Sequence, residues 1–86
     1  MEVHMGFVVV RNGVSEKLDQ QEFMLRYDFI MGYPKVEKIN DHHFRVLLSE
    51  TDYLEEVFQT YEDADAESYF IRRLAYNIHG IWRSGG

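Results

Sequence analysis

The sequence predicts a small α+β domain, with helices packed on one antiparallel sheet in the order β-α-β-β-α-α. Three observations carry that expectation. The continuous apolar run Phe7-Val8-Val9-Val10 has the character of a strand covered on both faces. Asp19 and Glu22 stand as the two ends of a capping box, ahead of apolar residues at helical spacing. Two short apolar–polar alternations flank Asn40-Asp41-His42, as the arms of a hairpin do. The chain has 86 residues and 45% hydrophobic content, which suits one small globular domain over 1–86 with a modest core.

Val3 to Arg11 is the first expected strand. Asn12-Gly13 follows, the strongest two-residue turn signal because both residues tolerate positive φ. Its second arm, Val14 to Leu18, is short and weakly patterned, so a tight turn is expected there rather than a full hairpin. Residues 20–31 should be helical. Asp19 caps them, Leu18 and Phe23 form a hydrophobic staple, and Phe23, Tyr27, Ile30 and Met31 share a face. Gly32 and Pro34 supply the stop. Lys35 to Ile39 and Phe44 to Leu48 then form a hairpin around a polar turn, although Val36 and Ile39 are out of strict phase.

The stretch from Ser49 to Phe70 holds eight of the 15 acids and no Lys, Arg or His. The rest of the chain carries seven acids against nine bases, so a charge of −8 sits here against +2 elsewhere. Read as a helix behind a Ser49 or Thr51 cap, residues 52–61 place Tyr53, Leu54, Val57, Phe58 and Tyr61 on one face. A strand over 54–61 is the alternative and gives β-α-β-β-β-α. Glu62 to Asp65 is expected to connect. Asp65 then caps a helix over Ala66–His79 that buries Ile71, Leu74, Ala75 and Ile78 and stops at Gly80. In the alternative, the part from Asp19 to His79 resembles the double-stranded RNA-binding domain in element order. That family opens its second helix with a basic cluster, whereas this chain reads Glu62-Asp63-Ala64-Asp65-Ala66-Glu67, so no family membership is assigned.

Composition argues against several classes of function. Net charge −6 disfavours direct attraction to nucleic acid or an anionic membrane. The chain has no cysteine, hence no thiolate metal site or Cys nucleophile, and a reducing, cytoplasmic setting is expected. No signal peptide or membrane span is visible. His42 and His43 read as part of a solvated turn, His79 as a helix C-terminal residue, and His4 carries no weight. No nucleophile–base–stabiliser set is found, so neither a catalytic residue nor a metal or cofactor is expected. The terminal Gly85-Gly86 resembles the end of ubiquitin-like modifiers and sulfur carriers. The carrier reading departs from that family because a helix precedes the diglycine and no ββα opening is evident. Both His4-Met5 and Ser84-Gly85-Gly86 are set aside as candidate vector-derived ends.

The leading expectation is a non-enzymatic acidic module that binds a basic protein. Its partner-binding residues are Asp52, Tyr53, Glu55, Glu56, Tyr61, Glu62, Asp63 and Tyr69. Carboxylates three or four apart on a helix lie about 5–6 Å from each other at Cβ, not far from the spacing of phosphates along a strand. In size and charge the chain resembles small phage-encoded inhibitors of restriction and CRISPR nucleases, which implies occupancy of a nucleic-acid channel. The alternative is a structural homo-oligomer that covers surplus aromatics, including Trp82.

Overall fold

Asn12 and Gly13 both take positive φ, +56° and +78°, and so close a two-residue turn that follows the natural twist of paired strands. The computed structural model describes residues 6–85 except Asp28, Ile30 and Met31, with only the helical course given for 77–85. The turn joins β1 (Gly6–Arg11) to β2 (Val14–Asp19) in register from Gly6 opposite Asp19 to Arg11 opposite Val14. The second arm is therefore a complete strand, against the expectation of a turn alone. Its outward positions are charged or exposed, and only Leu18 is buried, which is why its pattern is weak in sequence.

Asp19 caps α1 (Gln20–Arg26), and the capping box is complete: the Glu22 N–H donates to Asp19 Oδ1 at 2.8 Å and the Asp19 N–H to Glu22 Oε1 at 3.4 Å. The helix ends well before residue 31. Tyr27 is already extended, with its N–H bonded to the Phe23 carbonyl, and Phe29 has φ +53°. The reason is packing. Phe23, Tyr27 and Phe29 are all buried and their rings lie mutually 5.4–5.9 Å apart, whereas a continuing helix would turn Phe29 to a different face from Tyr27. Ile30 and Met31, expected in the helix, lie outside the described residues.

The predicted hairpin is present as β3 (Lys35–Asn40) and β4 (His43–Leu47). A bulge between Lys38 and Asn40 accounts for the phase break at Ile39. Asn40 Oδ1 accepts the His42 N–H at 2.8 Å and lies 2.9 Å from His43 Nδ1, so these exposed residues organise the turn.

The region expected to be a helix over 52–61 is not one. It opens with the short strand β5 (Asp52–Leu54), which inserts between β1 and β4 and completes the order β2-β1-β5-β4-β3, antiparallel at every pairing. Ser49 caps no helix. Its Oγ accepts the Thr51 and Asp52 N–H groups, while the Asp52 carbonyl accepts those of Leu48 and Ser49, forming the β4–β5 turn. Helical spacing lost because β5 supplies the central pairing between two hairpins, which a helix could not.

Thr60, rather than Asp65, then caps a single long α2 (Tyr61–Gly85): its Oγ1 accepts the Asp63 N–H at 3.1 Å. The expected connector Glu62–Asp65 is helical, and Gly80 lies inside the helix instead of ending it. Ala64, Ser68, Ile71 and Ala75 form its buried stripe and Leu74 is half-buried; the Ile78 side chain is outside the described residues. Two hydrogen bonds to the Pro34 carbonyl, from Ser68 Oγ at 3.3 Å and Arg72 Nη2 at 2.7 Å, tie α2 to the start of β3.

The observed order β-β-α-β-β-β-α is thus α+β, as expected, and closer to the alternative than to the leading arrangement. A ββα opening is present where none was expected. Both helices cover one face of the sheet. On it, α1 packs on β1 and β2 and α2 on β3 and β4, over Val9, Leu18, Val46, Leu48 and Leu54. No described helix is long and apolar enough to cross a membrane.

Besides Ser68, the core encloses one polar side chain among the described residues, Asp52. The Tyr27 hydroxyl donates to Asp52 Oδ2 at 2.6 Å, and Thr51 Oγ1 donates to Oδ1 at 2.7 Å. Asp52 is 4% exposed, so its carboxylate depends on these donors. Burial and the adjacent carboxylate push the Tyr27 hydroxyl up to about 12, so it remains a donor throughout the neutral range. Tyr27→Phe is expected to lower stability by about 1–3 kcal/mol by leaving a buried acceptor short of a donor. Urea unfolding should show a lower midpoint at an unchanged slope.

Candidate functional site

The two ends of β5 treat its acids oppositely. Asp52 is a buried structural anchor, so it is removed from the predicted partner-binding set. Tyr53 is half-buried and lies apart from the α2 surface. It points to the helix-free face of the sheet, with the Arg45 guanidinium 4.0 Å above its ring and Arg45 Nε held by Glu37 at 2.7 Å.

Beyond Leu54 the chain leaves the sheet and returns. Leu47 pairs with Tyr53, so regular antiparallel register would set Phe44 opposite Glu56, yet Phe44 pairs with Phe58 through two backbone bonds of 2.7 Å. The two surplus residues are accommodated by an outward excursion over 55–57. Glu55 and Glu56 are exposed there, and Glu55 accepts from Ser15 Oγ at 2.8 Å. Tyr61 opens α2 half-exposed, its ring edge-on to Phe44 at 6.2 Å. Glu62 and Asp63 occupy the exposed first turn. A continuous helical row of carboxylates from Asp52 to Asp63 therefore does not form, because residues 52–60 are not helical. On α2 itself, Asp63 and Glu67 keep the one-turn spacing.

The helical period sorts the rest of α2 around its buried stripe. One flank carries Asp63, Glu67, Phe70 and Leu74; the other carries Asp65, Tyr69, Arg72 and Tyr76. The second flank faces the start of β3, where Arg72 bonds Pro34. Tyr69 lies on it, 60% exposed, with the Arg73 guanidinium 5.9 Å from its ring. Tyr69 and the Glu55–Glu56 excursion thus lie to opposite sides of the stripe.

The first flank walls a groove of about 440 Å³, located where β1 begins and β5 ends. Phe7, Leu54, Phe70 and Leu74 give it apolar walls, Glu56, Glu67 and Gln20 are its polar lining, and Val8 and Glu55, whose carboxylate is bonded to Ser15, border it. Glu67 is half-buried. Its burial, with a smaller push from Glu56, raises its carboxyl above the ordinary value. Sequence reasoning missed Glu67, Phe70 and Leu74 as one surface because the groove they wall depends on β1 and the end of β5 lying beside α2. The Thr60-x-x-Asp63 cap followed by Asp63, Glu67, Phe70 and Leu74 at helical spacing was the available signal.

Electrostatically the acidic segment stands apart. The ion pairs among the described residues are Glu16–Arg26 at 2.9 Å, Asp41–Lys38 at 3.3 Å and Glu37–Arg45 at 2.7 Å. The Arg26 side chain holds the Glu16 carboxyl below its usual range by a two-pronged hydrogen bond. None of the eight acids between Ser49 and Phe70 pairs with a described cation. No family model matches the chain, and no curated protein or solved structure matches it either.

The raised Glu67 carboxyl has a definite sign in stability. The fold binds its proton more tightly than the unfolded chain does, so the fold loses stability as pH rises through the carboxylate range. Glu67→Gln is expected to raise the melting temperature at pH 7, with the gain disappearing below about pH 4, where the unfolded carboxylate is itself protonated. Melting curves of both proteins across that range measure it.

Proposed function

We propose that this protein is a non-enzymatic interaction module that binds a basic protein surface. The partner fitting this chemistry is a nucleic-acid channel of a nuclease or polymerase, blocked by occupancy. The observation that carries the reading is the internally unneutralised acidic segment: its eight carboxylates meet no described cation, while the described ion pairs use acids elsewhere. Seven of them remain at the surface once Asp52 is taken away, among them Glu55, Glu56, Glu62, Asp63 and the half-buried Glu67. Such a surface attracts a cationic one over about a Debye length, ~8 Å at physiological salt, so association should be fast and salt-sensitive. Tyr61 and Tyr69 lie exposed on the same helix, and Tyr is enriched among residues that dominate binding energy.

Replacing Glu55, Glu56, Glu62 and Asp63 together by Lys is expected to abolish capture of basic proteins at low salt without unfolding the domain, since all four side chains are exposed. Added DNA should compete with the wild-type protein for what it captures. Capture that survives both the reversal and high salt would overturn the reading.

Self-association is a second reading, favoured by one observation. Tyr61, Phe70, Tyr69 and Tyr76 are each at least half exposed along α2, more aromatic surface than a small monomer usually leaves open on one element. Sedimentation over a range of concentrations is expected to show a dimer under that reading, and a monomer at the highest concentration would remove it.

A further inference from the structure

The groove beside α2 joins two properties that are normally kept apart. Phe7 and Leu54 form apolar lining, with Leu54 buried and Phe7 packed on Phe23, and Phe70 stands at the rim 52% exposed. Glu55, Glu56 and Glu67 border the same space, and no Lys, Arg or His is among its described lining residues. A hydrocarbon ligand would strip water from these carboxylates without replacing it. A small inorganic cation would leave the apolar walls unused. The complementary occupant is a cation on an apolar stem.

Resting on the basic-partner reading above, we propose that this groove receives an arginine side chain presented by the partner protein. Arginine fits better than lysine for three physical reasons. Its guanidinium is weakly hydrated, so entry into a half-buried space costs less. Its planar fork can serve carboxylates on two walls, Glu56 from the excursion after β5 and Glu67 from α2. Its face can stack on the Phe70 ring. The groove volume of about 440 Å³ accommodates such a side chain with part of its backbone. The elevated Glu67 carboxyl is consistent with this geometry: burial raises it first and Glu56 adds a smaller push, and a cation between the two would offset both.

The test is an NMR titration of the full chain with acetyl-Leu-Arg-Leu-amide and three comparison ligands. These are the same peptide with lysine, the same peptide with neutral citrulline, and spermidine as a free polycation. The expected result is movement of the Phe7, Leu54, Glu56, Glu67, Phe70 and Leu74 amides by the arginine peptide. Loss of its charge in citrulline should weaken binding about tenfold or more, corresponding to ~1.4 kcal/mol. Glu56→Gln with Glu67→Gln should do the same, whereas Asp41→Asn, at the exposed β3–β4 turn away from the groove, should change affinity by less than about twofold. Phe70→Ala, at an exposed site, gives an independent loss if the double variant does not fold.

Amide shifts centred on Glu62 and Asp63 would overturn the proposal, as would spermidine binding as tightly as the peptide. So would binding seen only after deletion of residues 1–5, which would assign the groove to the chain's own start. Absence of peptide binding, with capture of basic proteins still dependent on Glu62 and Asp63, removes the groove and leaves the general reading. Loss of salt-sensitive capture removes both.

Discussion

The Tyr27 hydroxyl meets the Asp52 carboxylate across 25 residues of chain, and the two halves of the fold are joined at that point. Tyr27 ends α1, which packs on the β1–β2 hairpin; Asp52 begins β5, which pairs with β1 and β4 and so links that hairpin to β3–β4. A carboxylate that is 4% exposed is tolerated only when its oxygens are satisfied, and Tyr27 and Thr51 supply one donor each. This requirement propagates outward. Together with the packing of Phe23, Tyr27 and Phe29 it holds Tyr27 in its extended conformation where α1 ends, and it ties down the start of the central strand. The Ser49 turn holds the same residue from the other side through its backbone.

From that anchor the acidic surface follows geometrically. β5 is only three residues long, and the register shift between its pairing and the Phe44–Phe58 bridge turns Glu56 and Val57 out of the sheet, while the Glu55 N–H still donates to the Val8 carbonyl at 2.9 Å. The short α1 and the long α2 cover opposite ends of one sheet face and leave a groove between the start of β1 and the flank of α2. Acids near this opening pair with no described cation; Arg26, Lys38 and Arg45 pair instead with Glu16, Asp41 and Glu37, and Arg72 donates to a backbone carbonyl. Charge is thus held at the surface unneutralised, beside apolar side chains that the core does not fully cover. That combination underlies both the proposed partner class and the proposed arginine site.

Sequence reasoning succeeded where the signal is local. The Asp19–Glu22 capping box, the Asn12-Gly13 turn and the β3–β4 hairpin each depend on residues within a few positions of each other, and all three are present. It failed where two local codes compete. Tyr53, Leu54, Val57, Phe58 and Tyr61 fit a helical face, yet the sheet divides them: Leu54 is buried, Tyr53 lies under Arg45 on the opposite face, and Val57 is 46% exposed. For the site the pattern is similar. Glu55, Glu56, Glu62 and Asp63 lie at the surface as expected, Asp52 is claimed by the core, and Glu67 enters because its flank of α2 lies beside the start of β1 and the end of β5.

The sequence by itself determined the α+β class, the Asp19–Glu22 cap, the Asn12-Gly13 turn and the concentration of −8 in one segment, because these are properties of composition and short-range backbone chemistry. Only the tertiary structure decided that residues 52–54 form the central strand, that one of the eight acids is buried, and which side chains share a groove. Pairing of β5 with β1 and β4 satisfies backbone donors and acceptors in a sheet interior, a demand set by strands distant in the chain that outweighs local helical spacing.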